Sequence, residues 1–288
     1  PRWNGTATTG AELMRATRLG LFALLATSTL STAPAWAVVT LAPHRAVYDL
    51  VLDNASDRSG ITGLAGRMVY EFNGSPCEGY PAKFRFVTQI NTGETSRLTD
   101  QQTTTFEEGD GKSFSFVTKS FVDSNLDKEV KGTAKLETSG LKVDIEKPEK
   151  ATVDLSKTQF PTQHLIELIS KAEGGETFYE TNLFDGSEDA DKVMTTTVIV
   201  GKPSVSGDGD PEAKPLAALA KDKYWPVDIA YFDLSSEDGE ETPEYRISFK
   251  LHENGLTRDL TMDYGDFSMT GKLVNLALFP APKACTPN

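Results

Sequence analysis

The 288-residue chain is 38% hydrophobic and 25% charged, with 29 Lys and Arg against 42 Asp and Glu and a formal charge of −13. Those proportions describe a globular protein and exclude a disordered one. The acidic balance, without any Lys/Arg run, also excludes nucleic-acid binding, which draws its affinity from phosphate neutralisation. No G-X-Y period, sustained heptad or apolar stretch of about 18 residues occurs beyond the N-terminus, so collagen, coiled coil and a multi-span membrane protein fall away.

Residues 14–37 read as an export leader. Met14-Arg15-Ala16-Thr17-Arg18 is basic, Leu19 to Thr27 is apolar, and Ala35-Trp36-Ala37 ends in the small-residue pattern of a cleavage site. These are the three parts of a secretory signal peptide, and the apolar run is too short to span a bilayer comfortably. The expectation is cleavage after Ala37, with the residues before Met14 read as upstream sequence; the alternative is a buried N-terminal helix. Without Arg2, Arg15, Arg18 and Glu12, residues 38–288 carry a formal charge of −15, which favours solubility and repels anionic lipid surfaces.

From residue 38 onward the recurring signal is two-residue alternation, the mark of strands with one buried and one wet face. Met68, Tyr70 and Phe72 form the first such run. After the Asn73-Gly74 turn, Phe84, Phe86, Thr88 and Ile90 oppose Lys83, Arg85 and Gln89. Glu108-Gly109-Asp110-Gly111 precedes Phe114 and Phe116; then Val130, Gly132, Ala134 and Leu136 oppose Lys131, Thr133, Lys135 and Glu137. Ser139-Gly140 turns the chain into Leu141, Val143 and Ile145.

Residues 162–174 break the pattern. Leu165, Ile166, Leu168, Ile169 and Ala172 stand at helical spacing, with Pro161 ahead and Gly174-Gly175 behind as stop signals. A short second helix is expected over 213–221, at the end of a long Gly/Pro/Ser/Asp-rich loop near 201–215. Asp238-Gly239 is the next turn. Tyr245, Ile247, Phe249 and Leu251 then alternate with Glu244, Arg246, Ser248 and Lys250, and Asn254-Gly255 leads to Leu260, Met262 and Tyr264. The 25 threonines after residue 37 suit a pleated surface.

About a dozen or more strands in hairpins predict an all-β domain over 38–288: one large curled antiparallel sheet, a partly open barrel, with one amphipathic helix packed at or in its concave side.

The only cysteines are Cys77 and Cys285. In an oxidising compartment an even pair without CxxC spacing reads as one structural disulfide; two free thiols, one of them a nucleophile, are the alternative.

Other chemistry is sparse. His44, His164 and His252 fall in three separate contexts and read as ordinary surface or capping histidines. Ser139-Gly140-Leu141-Lys142 matches S-x-x-K but lies in a turn with no KTG after it, and Gly111-Lys112-Ser113 resembles the end of a P-loop without its first glycine or its helix. The acidic groups Asp185/Glu188/Asp189/Asp191, Asp208/Asp210 and Glu237/Asp238/Glu240/Glu241 fit no calcium-loop spacing and read as solvated turns. No catalytic residue, metal or cofactor is assigned.

Several separated blocks resemble the EipB-type envelope-integrity proteins of Gram-negative bacteria. They are Tyr48-Asp49-Leu50, Gly66-Arg67-Met68-Val69-Tyr70-Glu71-Phe72, Cys77-Glu78-Gly79-Tyr80, Phe160-Pro161-Thr162-Gln163-His164, Phe184-Asp185-Gly186-Ser187 and Trp225-Pro226-Val227-Asp228-Ile229-Ala230-Tyr231-Phe232. The resemblance implies a periplasmic location, a β-spiral, a disulfide between Cys77 and Cys285, and a role in maintaining the envelope under stress. It also implies an architecture similar to that of periplasmic carriers that shield lipoprotein acyl chains.

Three functions follow as expectations. The first is a non-enzymatic protein that binds a lipid, a lipoprotein or another periplasmic protein, as a monomer or weak oligomer. The second is a cell-wall or glycan hydrolase with two carboxylates in a cleft. The third is a purely structural scaffold.

Overall fold

The computed structural model describes residues 39–235, 242–282 and Cys285. The expected leader, its cleavage after Ala37 and the Asp238-Gly239 turn lie outside the described residues.

The first eight strands are β1 (His44–Ala55), β2 (Ile61–Phe72), β3 (Tyr80–Thr92), β4 (Ser96–Glu107), β5 (Ser113–Val122), β6 (Asn125–Leu136), β7 (Leu141–Lys147) and β8 (Ala151–Leu155). They form one antiparallel meander ending at a sheet edge. Helix α1 (Pro161–Glu173) then carries the chain to the opposite edge, where β9 (Phe178–Leu183) begins. From there β10 (Met194–Val200), β11 (Tyr224–Phe232), β12 (Tyr245–His252), β13 (Thr257–Asp263) and β14 (Phe267–Leu278) run back until β14 pairs with β1. The result is one 14-stranded antiparallel sheet with β8 and β9 as its two unclosed edges. The short helix α2 (Ala213–Leu216) and a 3-10 turn over Ala217–Lys221 stand where the second helix is expected.

The curl is visible in the packing. Four strands separate β3 from β12 in the sheet, yet Phe84, Phe86, Ile247 and Phe249 join one apolar cluster with Tyr48, Leu50 and Met68. That cluster runs strand to strand, and α1 in turn joins Phe72 and Tyr80 at β2–β3 to Tyr179 and Val198 on β9 and β10, which requires the sheet to curl around the helix.

Helix α1 fills one end of this concavity. Leu168, Ile169 and Ala172 bury against Phe72, Tyr80, Val198, Trp225 and Leu251, so the apolar stripe visible in the sequence is what docks the helix. Pro161 occupies the first turn, but the residue at the N-cap, Phe160, has no side-chain acceptor. Glu107 at the end of β4 supplies it instead: its Oε2 accepts from the Thr162 N–H at 2.7 Å and its Oε1 from the Gln163 N–H at 3.0 Å. A carboxylate at a helix N-terminus also meets the positive end of the helix dipole.

A third cluster lies beneath β5, β6 and β7, where Phe114 and Phe116 pack against Phe160 and Phe184. The loop after β9 folds over them. Gly186, at φ +70°, sits so close that a Cβ there would fall 2.6 Å from the Phe116 ring.

Two expectations are corrected. The histidines are not on the surface: His44, His164 and His252 are all buried, at 3%, 6% and 2% exposure. Asp210 is not a solvated turn residue either, because its side chain is paired with buried Arg258. Both corrections have one cause. Turn-like composition predicts exposure only when no other segment covers the turn, and here long-range packing does.

Candidate functional site

Antiparallel register fixes which side chains share the concave face, because directly paired residues point the same way. One row across the sheet reads Met68, Phe86, Gln101 and Ser120; the next reads Tyr70, Phe84, Thr103, Thr118 and Val130. A third passes from Gly66 through Thr88 and Thr99 to Val122. The concave face is therefore largely apolar on β1–β3, turns to hydroxyls and an amide over Thr99–Thr103 of β4 and Thr118–Ser120 of β5, and on β6 presents Val130 and, across from Ser120, Lys128.

Strand topology places α1, the β12–β13 turn and the 201–223 loop at one end of the curled sheet. The β3–β4, β5–β6 and β13–β14 turns lie at the other. Toward that second end the inner side chains lose cover: Phe84, Phe86, Ile90 and Phe267 are only half-buried, whereas half-buried Ile247 and Phe249 also pack against the α1 cluster. Tyr231 stacks on Tyr245 at 4.3 Å, Tyr245 contacts Tyr264 at 6.1 Å, and Tyr264 stacks on Phe267 at 5.1 Å. This is an aromatic rim on strands β11–β14. Burial pushes the Tyr231 and Tyr245 phenols upward, so both remain neutral.

The hydroxyl wall is partly self-satisfied. Thr88 and Thr99 share a 2.7 Å hydrogen bond, and Thr103 and Thr118 one of 3.0 Å. The Gln101 amide and the Ser120 hydroxyl have no protein partner among the described residues.

At the opposite end the sequence-identified sites are structural in character. Cys77 and Cys285 form a disulfide with Cα atoms 5.8 Å apart. Beside it Pro280 and Pro282 line a cleft of about 280 Å³ with Pro43, Pro81 and Phe106. The bond thus holds the tail against the β2–β3 turn.

Between β13 and β14 the ladder stops at Leu260–Gly271, and Asp259 adopts φ +53° in a bulge. Glu212 fills the opening. Its Oε1 accepts from the Asp259 N–H at 3.1 Å and the Leu273 N–H at 2.7 Å, while its Oε2 accepts from Arg258 Nη1 at 2.9 Å. Arg258 also donates to Asp210 Oδ2, Ser206 Oγ and His252 Nε2. Burial pushes Asp210 up, but the Glu212 N–H, the Ser206 hydroxyl and the Arg258 and Lys250 charges outweigh it and hold its carboxyl below the usual range.

A hydrolytic carboxylate pair would need one acid free to hold a proton and another free to act on substrate. Asp210 and Glu212 instead share one guanidinium, and Glu107, whose pKa burial raises, is committed to the α1 N-terminus. A polar cleft of about 520 Å³ beside β9, lined by Lys157, Gln159, Glu167 and Glu180, is bridged by Gln159, which donates to Glu167 and Thr181. No group of three or more His, Cys, Asp and Glu able to hold a metal occurs among the described residues. Likewise none of their helices is long and apolar enough to cross a membrane.

Sequence reasoning missed β4. Thr99, Gln101, Thr103 and Thr105 face inward while Asp100, Gln102 and Thr104 face outward, so no hydrophobic alternation announces the strand. The signal available was the β-branched Thr content between two turns.

Residues 35–280 match the family described as EipB-like. The chain is 58% identical over 252 residues, 87% of its own length and 89% of the other's, to a protein of Brucella abortus (strain 2308) named cell envelope integrity protein EipB. It is also similar to a Brucella abortus crystal structure described as a beta-barrel-like protein of a domain of unknown function. That likeness has a TM-score of 0.81 and 59% identity and covers 84% of this chain and 100% of the other. With sequence and fold in agreement, the chain belongs to the EipB-like family.

Proposed function

We propose that this protein works in the periplasm to keep the cell envelope intact, without catalysis, by holding a hydrophobic ligand or the apolar segment of a partner on the open part of its concave face. The observation that carries the reading is the set of half-buried Phe84, Phe86, Ile90 and Phe267 on the concave face, which pack outside the cluster that α1 fills. Apolar side chains left short of cover inside a concave surface mark a place for another apolar body. The name of the Brucella relative supports the envelope role, and the basic, apolar and A-x-A stretches before residue 38 support export.

The test combines binding and complementation. Protein recovered from the periplasmic fraction is expected to raise the fluorescence of 1-N-phenylnaphthylamine, and a Phe86→Ser/Phe267→Ser variant to lose most of that response. A strain lacking the gene is expected to become sensitive to bile-salt detergent and to be rescued by wild type but not by the double variant. Full rescue by a folded variant that no longer binds the dye would remove ligand holding from the function and leave a scaffold. Hydrolysis of purified peptidoglycan by the wild type would restore the enzymatic reading.

A further inference from the structure

Resting on the reading of the concave face as a ligand site, we infer that its ligand is an amphiphile with an uncharged, hydroxyl-rich headgroup, seated on the Thr/Gln/Ser wall of β4 and β5. Two observations carry this. First, the apolar and polar surfaces are direct cross-strand neighbours: Phe86 pairs with Gln101, and Phe84 with Thr103. One ligand lying across the strands would bury its chain on β2–β3 and present its head to β4–β5 over the width of about two strands, roughly 10 Å.

Second, the side chains that β4 and β5 contribute to the wall are donors and acceptors without charge, and the one charge in the same row, Lys128 of β6, is ion-paired. Thr99, Gln101, Thr103, Thr118 and Ser120 offer hydroxyls and one amide. Gln101 and Ser120, paired with each other across β4 and β5, have no protein hydrogen-bond partner among the described residues. Hydroxyl and amide groups match a polyol, because each can both donate and accept.

The charged groups nearest this wall do not make an anion site. Lys128, across from Ser120, is ion-paired with Asp189 at 2.7 Å. Arg97, beside Ile90, stands exposed at the β3–β4 turn, one row beyond the wall. The formal charge of −15 on residues 38–288 further disfavours an anionic head.

The experiment measures displacement of 1-N-phenylnaphthylamine from the full exported protein by twelve-carbon amphiphiles that differ only in headgroup. These are dodecyl maltoside, glycerol monolaurate, dodecylphosphocholine and dodecyl phosphate, each below its micelle concentration. Dodecyl maltoside or glycerol monolaurate is expected to compete about tenfold more strongly than the charged pair, and which of the two is stronger separates a sugar head from a glycerol head. Gln101→Leu, at an exposed position, and Thr103→Val/Thr118→Val are each expected to cost the preferred ligand about tenfold while leaving dye affinity within about twofold. Equal competition by all four heads, or preference for dodecyl phosphate abolished by Arg97→Ala, would overturn the headgroup assignment and leave the apolar site standing. Absence of dye binding by the wild-type protein would overturn both.

Discussion

Arg258 Nη1 lies 2.9 Å from Glu212 Oε2, and the two side chains keep only 0% and 1% of their exposure. Through this contact a loop that reads in the sequence as a free insertion becomes part of the sheet, closing the gap between β13 and β14. Removing one partner leaves the other charge buried and alone, at a cost of about 3–5 kcal/mol. Arg258→Met is therefore expected to lower the melting temperature by roughly 6–20 °C. Calorimetry of the two proteins decides it, and an unchanged midpoint would mean that the 201–222 loop is dispensable for stability.

The carboxylate of Glu107 caps a helix 55 residues away in sequence. Glu107→Ala leaves two N–H groups of α1 without acceptors and should cost about 1–3 kcal/mol. Glu107→Gln, which keeps one acceptor, should cost less. Guanidinium unfolding gives the free energies, and faster amide exchange at Thr162 and Gln163 in the alanine variant would localise the effect.

The disulfide spans 208 positions of sequence. The chain-entropy treatment gives such a crosslink about 5 kcal/mol as an upper figure, and measured losses on removing a native bridge are about 2–5 kcal/mol. Reduction, or Cys77→Ser with Cys285→Ser, should lower the unfolding free energy by that amount and shift the denaturant midpoint accordingly. Little or no shift would show that the C-terminal tail adds nothing to the folded sheet.

Acid should destabilise the protein through its histidines. Burial holds His164 at about 4, and burial together with the Arg258 charge holds His252 at about 4, against 6.5 for a free imidazole. Between those values the unfolded chain binds the protons that the folded chain refuses, so stability falls as pH drops from 6.5 toward 4. The slope is about 1.4 kcal/mol per pH unit for each histidine. Glu107 acts in the opposite sense: its raised pKa contributes stability that is lost as pH rises past the folded value. Guanidinium midpoints between about pH 7 and 5 should decline, and His164→Asn should flatten the decline. An equal slope in that variant would exclude His164 as a source.

Much of this architecture was readable before folding. The alternation at 84–90, 130–136 and 245–251 marks half-buried strands because neighbouring side chains on a strand point to opposite faces, a property of the backbone alone. Pro161 and Gly174 bracket the helix observed over Pro161–Glu173 for the same local reason. The candidate site was readable only by halves. Phe84 and Phe86 stand out as inward residues, whereas Thr103 and Gln101 sit in a strand polar on both faces and look like any surface segment.

Local pattern by itself determined an all-antiparallel sheet, one amphipathic helix and a single cysteine pair, since each depends on residues close together in the chain or on simple count. Tertiary structure alone decided that β14 closes onto β1, that Glu107 caps α1, that Arg258 and Glu212 meet, and that a hydroxyl wall lies beside an apolar one. Those contacts join residues far apart in sequence, and their partners are chosen by the curl and register of the whole sheet rather than by any short stretch of it.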